Sequence, residues 1–246
     1  MLCFRARYFV VASLLWVPFA YAEHSVAGVV TLADGDVFRS DKEAGPFRKL
    51  KADAEIYEGD VLKTETGRLE ARLLDRSVIR LAANSRLKLD QAKFKKDDDG
   101  EKSFTAKLFF GRMWAKVTSV IGSDSKFEVT SPNAVAGVRG TQFNVDVGKD
   151  KSTNVKVFSG RVLVSNKPVF YVEGTKKFDG SQKPGERKQV AGPQEVSKKA
   201  WEESIAAALQ EVRVAANGSL TPAESFAENK AGDDEWLAWN KARDEH

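Results

Sequence analysis

The chain has 246 residues, 42% of them apolar and 30% charged, with a formal net charge of +4, a composition that suits one globular domain of substantial core plus an appendage. So small a positive excess gives no ground for a nucleic-acid partner. Its single cysteine, Cys3, and its two histidines, His24 and His246, leave the body of the chain no means to build a disulfide, a thiolate nucleophile, a Ser-His or Cys-His pair or a histidine metal site, and no cofactor is expected.

Residues 1–22 read as a cleavable secretory signal. Arg5 and Arg7 supply the charged start, an apolar run follows, and Ala20-Tyr21-Ala22 is a small-x-small cleavage site. Cleavage after Ala22 removes both arginines and lowers the net charge from +4 to +2. The apolar run is too short to span a bilayer comfortably and no later run approaches the needed length, so no membrane span is expected in the mature chain. Cys3 precedes the apolar run, so it is not placed as a lipidation cysteine.

From Val26 onward the pattern is one of short strands and turns, with no helix-period segment of useful length until the end. Val26 to Leu32 and Gly35 to Phe38 open it, Gly45-Pro46 marks a turn, and Gly59-Asp60-Val61-Leu62-Lys63-Thr64 begins another strand. Leu69, Ala71 and Leu73 alternate with Glu70 and Arg72, which predicts a strand with one wet face. The run 95–102, rich in Lys and Asp, reads as a solvated hairpin tip rather than a calcium loop, because the alternating ligands and the distal carboxylate are missing. Phe104 to Phe110, Gly111, and Arg112 to Val117 follow, the last with Met113, Ala115 and Val117 alternating against Arg112, Trp114 and Lys116. In 132–147, Thr141, Phe143, Val145 and Val147 alternate with Gln142, Asn144 and Asp146 behind Gly137-Val138-Arg139-Gly140. The glycines suggest a bend rather than a phosphate cradle, since a strand and not a helix N-terminus follows. Asn154 to Ser159 and Arg161 to Ser165 read as two more strands around Gly160.

Residues 173–196 change character, with repeated Gly and Pro and the cations Lys176, Lys177, Lys183, Arg187 and Lys188. They read as a basic linker or terminal hairpin. Helices are expected only beyond it. Trp201, Ile205, Leu209 and Val212 form a helical stripe over 197–214; Thr221-Pro222-Ala223-Glu224 reads as a capping box; and Asp233-Asp234-Glu235 opens a last helix with Trp236, Leu237 and Trp239. Trp201, Trp236 and Trp239, with Lys176, Lys177, Arg187 and Lys188, are the candidate partner surface. Docking of the tryptophans on the protein's own β core is the competing expectation.

In order along the chain, residues 59–64, the run from Gly67 through Asp75-Arg76-Ser77 to Leu81 and Asn84-Ser85, Phe110-Gly111-Arg112-Met113, Val138-Arg139-Gly140-Thr141-Gln142-Phe143, and Val157-Phe158-Ser159-Gly160-Arg161-Val162 together resemble a FecR domain. Arg76 stands where that pattern commonly has glycine. The resemblance implies a periplasmic, mainly β, twisted solenoid- or sandwich-like domain over 23–172, followed here by the linker and a helical extension over 197–246. Gly59, Asp60, Gly111, Arg139, Gly140, Thr141 and Gly160 are then family-motif positions with structural roles, and Arg139 is expected to pair with a carboxylate. In regulator members the domain relays a signal from an outer-membrane receptor to an anti-sigma module, but a cleavable leader occupies the place of their membrane span. The reading is therefore a non-catalytic binding, sensing or scaffold module contacting an envelope protein or an anionic envelope polymer. The alternatives are a structural envelope protein with self-docking helices and, more remotely, a serine enzyme built on the S-x-x-K matches at Ser85 to Lys88 or Ser123 to Lys126.

Overall fold

A computed structural model describes residues 25–94, 102–118, 126–166, 203–227 and 234–245. The expected leader, the basic linker with its five named cations, Trp201, the 95–101 tip and the second S-x-x-K serine lie outside the described residues, as does the side chain of Arg139.

Among the described residues fifteen strands form one sheet. In chain order they are β1 (Val26–Asp34), β2 (Val37–Ser40), β3 (Arg48–Lys49), β4 (Glu55–Tyr57), β5 (Val61–Thr64), β6 (Arg68–Leu73), β7 (Val78–Leu81), β8 (Ser85–Phe94), β9 (Lys102–Lys116), β10 (Lys126–Thr130), β11 (Ala134–Val147), β12 (Thr153–Asn166), β13 (Glu203–Ala207), β14 (Gln210–Val214) and β15 (Glu224–Ser225). The one helix among the described residues, α1, spans Glu235–Asp244.

The sheet is creased, and three long strands cross the crease. Lys102 to Phe110 of β9 pairs with β8 and β10, whereas Gly111 to Lys116 pairs with β7 and β11. β11 pairs with β10 before Arg139 and with β9 after Thr141, and β12 exchanges β14 for β13 on either side of Gly160. The partner changes fall at Gly111 (φ 90°), Gly140 (φ 58°) and Gly160 (φ 84°), a left-handed backbone that a side chain disfavours. What the sequence divides into separate strands at Gly111 and Gly160 is thus continuous strand bent at a glycine. A Cβ on Gly111 would stand 2.3 Å from Ser85 Oγ and 2.5 Å from Asn84 O, and one on Gly160 would stand 2.6 Å from Gly140 O.

The two halves close over a single buried cluster. Leu62, Leu87, Leu89, Phe104 and Leu108 come from one half and Val30, Leu69, Ile79, Met113 and Phe143 from the other. Each such side chain removed from water stabilises the fold by about 1.5–3 kcal/mol. The period-2 pattern of strands such as β8 and β10 follows from this: one set of alternate residues meets the core and the other faces outward.

The C-terminal region differs from the helical expectation over most of its length. Residues 203–214 form β13 and β14, which pair with the two halves of β12 and break at Ala208-Leu209, opposite the bend at Gly160. The spacing of Ile205, Leu209 and Val212 suits a helix, but the open edge of β12 offers a complete ladder of hydrogen bonds, and tertiary pairing overrides the local period. Buried residues are Ala206, Val212 and Val214, while Ile205 is 62% exposed. The Thr221 capping box is not used either: Thr221 Oγ1 donates to Arg213 O and accepts from Arg213 N, so that hydroxyl ties a strand edge, and Glu224 belongs to β15. The β domain therefore runs well beyond residue 172. The last helix forms as its charges dictate, with Asp234 accepting from the backbone N–H of Trp236 and Leu237 and with Lys241 and Arg243 in the final turn.

Candidate functional site

The outward residues of β6, β7, β9 and β11 line up in rows set by strand register. Glu70 pairs across from Arg80, Arg80 from Trp114 and Trp114 from Asn144. In the next row Arg72 faces Val78, Val78 faces Lys116 and Lys116 faces Gln142. The helix α1 lies over the first row. Trp236, Asn240 and Asp244 recur every four residues and so share the face turned to the sheet.

The contacts are specific and mostly polar. Trp236 Nε1 donates to Asn144 Oδ1 at 2.8 Å, and Trp114 Nε1 donates to Asp244 Oδ2 at 3.0 Å. Arg112 holds Asp234 by two hydrogen bonds and approaches Asp146 at 3.2 Å. Arg80, only 3% exposed, donates Nε to Glu70 at 2.6 Å and places Nη2 2.7 Å from Asp244 Oδ1. Arg243 and Thr31 complete the acceptance by Glu70, at 2.6 Å each. A small apolar cluster of Ala82, Trp114, Trp236 and Leu237, flanked by Phe158, Phe226 and Trp239, sits beside this network. Trp236 and Trp239 stack with centroids 5.6 Å apart, and the guanidinium groups of Arg68, Arg80 and Arg243 lie 5.0–5.7 Å from the Trp239 ring.

Electrostatics follow the geometry. Burial pushes the Glu70 carboxyl upward, but hydrogen bonds from Arg243, Thr31 and Arg80, with the charge of Arg80, outweigh it and bring its pKa down to about 2. Burial likewise works against ionised Asp234, yet Arg112 and the backbone N–H groups of Leu237 and Trp236 hold it below the usual carboxylate range. Asp146 moves the other way: its burial and the charge of Asp234 raise it in spite of Arg112.

Of the sequence-derived residues, Trp236 is 5% exposed and turned onto the sheet, which removes it from any exposed aromatic patch, while Trp239 is half-buried among arginines. Gly59 takes φ 89° and donates its N–H to Leu89 O; buried Asp60 accepts from Tyr57 N at 2.8 Å and lies 3.5 Å from Arg39. Thr141 Oγ1 donates to Arg161 O across the crease. Arg139 is opposite Arg161 in the β11–β12 register. The first S-x-x-K cannot act as a nucleophile and base pair, because Ser85 points inward and Lys88 outward on β8, where Lys88 pairs with Asp90. Glu70, Arg80, Asn144 and Asn240 carry the helix contact, and the sequence reading does not single them out. The signal available was Trp114 and two charges on nominally wet strand faces, matched by polar residues every four positions in the last helix.

Residues 60–163, from the start of β5 to the crease-crossing β12, match the family model for FecR protein. The chain carries a FecR domain. The matched region contains all three crease glycines and both rows of the outer face, whereas β1 to β4, β13 to β15 and α1 flank it. Two crystal structures of a protein described as a "putative anti-sigma factor" from Parabacteroides distasonis ATCC 8503 are similar at 16% identity. One has a TM-score of 0.46 over 71% of this chain and 65% of that one, and the other 0.45 over 70% and 63%. The chain thus spans less than two thirds of those solved chains. No curated protein matches it. Among the described residues no helix is long and apolar enough to cross a membrane, and no three His, Cys, Asp or Glu side chains gather to hold a metal.

Proposed function

We propose that this chain is a non-catalytic binding or sensing module of the bacterial cell envelope, exported to the periplasm, where it joins a signal-relay assembly by contacting an envelope protein or an anionic envelope polymer. The observation that carries this reading is the FecR match over 60–163, in which Gly111, Gly140, Gly160 and Thr141 are spent on bending and tying the sheet. Such residues build a scaffold, and recognition then falls to the outward faces. A second reading, a structural envelope protein, is favoured by α1 docking on its own sheet.

In-cell crosslinking of the full chain tests the two. Recovery of one defined envelope partner, lost when outward residues are changed without loss of folding, supports the module. Recovery of copies of the chain alone supports the structural reading, and turnover of a substrate by the purified protein overturns both.

A further inference from the structure

Beside the last turn of α1 the second outward row is left open at Arg72 and Val78, and a groove of about 950 Å³ opens there. That is the size of a small-ligand site. Its wall on one side is the end of the helix, Arg243 and Asp244, and on the other the β6–β7 turn with Leu74 and Arg76. The floor is the row Arg72, Val78 and Lys116.

The lining is unbalanced in charge. It holds five cations, Arg72, Arg76, Arg80, Lys116 and Arg243, against the carboxylates of Glu70 and Asp244. Arg80 and Arg243 already serve those two carboxylates, and Lys116 Nζ donates to Asp244 O at 2.8 Å. Arg72 and Arg76 are exposed and, among the described residues, pair with no carboxylate. Alternating with these cations is apolar surface: Val29, Val78 and Leu74, the last 54% exposed. Arg76 moreover occupies φ 69°, a backbone position that favours glycine, so a long cationic side chain is kept there against a conformational cost.

We infer that this groove binds an amphiphilic anion, a carboxylate or phosphate group borne on an aliphatic body, with Arg72 and Arg76 receiving the anion and Val29, Leu74 and Val78 the chain. Planar guanidinium forks suit either oxyanion in a bidentate manner. The apolar strip gives the aliphatic part a surface that a bare ion would not use. This site is independent of which envelope partner the domain contacts.

Calorimetric titration of the full chain with decanoate and with decyl phosphate, both below their micellar concentrations, tests the assignment. Decyl maltoside, acetate and inorganic phosphate serve as controls. The expected result is a Kd below about 1 mM for at least one of the two anionic amphiphiles, with tighter binding of decanoate or of decyl phosphate telling carboxylate from phosphate. R72Q and R76G should each weaken it at least about tenfold, and added salt should weaken it further. Both side chains are exposed and, among the described residues, pair with no carboxylate, and glycine accepts the backbone at position 76, so circular dichroism and melting should show folded variants. Equal binding of the neutral maltoside, equal binding of the bare anions, binding of neither amphiphile, or undiminished affinity in both folded variants would each overturn the proposal.

Discussion

Replacing Glu70 by Gln isolates the electrostatic part of the helix contact. The carboxyl is held at about 2 instead of 4.5, which corresponds to roughly 3 kcal/mol at neutral pH if fully realised. One of its partners, Arg243, is 39% exposed at the side chain, and solvent screening there reduces the expected contribution to about 1–2 kcal/mol. Gln keeps the shape and can still accept from Thr31, but Arg80, buried with its other end on Asp244, loses one of its two charge partners. Together these give an expected loss of about 2 kcal/mol for E70Q at pH 7. The folded-state value lies below the unfolded one, so the stabilisation is fully present above about pH 4.5 and is lost as pH falls toward 2. Urea unfolding followed by tryptophan fluorescence at pH 7, 4.5 and 3 measures the difference between the native chain and E70Q, in which the other carboxylates cancel. That difference should shrink steadily on acidification. A difference that stays constant with pH, or one below about 0.5 kcal/mol at pH 7, would refute the assignment of Glu70 as the ionised centre of the network.

Gly111→Ala should destabilise by more than about 3 kcal/mol or prevent folding, because the added methyl must displace Ser85 and the Asn84 carbonyl at a positive φ; soluble yield and melting temperature report it. Arg76→Gly, at φ 69°, should instead raise stability by up to about 1 kcal/mol, the relief of the left-handed penalty outweighing the freer unfolded chain, readable in the same melts. Trp236→Phe keeps an aromatic side chain but strands buried Asn144 Oδ1 without its donor, at an expected cost of about 1–3 kcal/mol. Hydrogen exchange should show that loss first in the amides of α1.

Much of this architecture is legible along the chain because strand alternation and glycine placement are local properties. Thr141, Phe143, Val145 and Val147 announce a half-buried strand without knowledge of its neighbours, and all four are buried. The acidic start and basic end of α1 are equally local. By contrast, Ile205, Leu209 and Val212 have helical spacing yet lie on β13, β14 and the turn between them, because the deciding influence is the free edge of β12, some fifty residues away in sequence. Glu70 and Arg72 look alike in the sequence, two charges on one wet face. Register separates them: Glu70 shares a row with Arg80 and lies beneath α1 at 7% exposure, while Arg72, one row over, stays open on the groove.

The polarity of the helix contact has a structural rationale of its own. An apolar stripe on α1 would bury area without fixing where along the sheet the helix comes to rest, since one Leu against another tolerates a shift of a turn. Paired charges and aromatic N–H donors tolerate no such shift. Moving the helix by one residue would separate Trp236 from Asn144, Asp244 from Trp114 and Arg80, and Asp234 from Arg112 together. Breaking the pairs of Asn144, Trp114 and Arg80 leaves a buried polar group without its partner each time, a penalty that exceeds the net gain of making the pair. The network therefore contributes registry more than affinity, and Leu237 and Trp236 supply the apolar burial that holds the helix down. That registry also fixes the groove, because Arg243 and Asp244 form its wall only when the last turn of α1 is seated over Glu70 and Arg80.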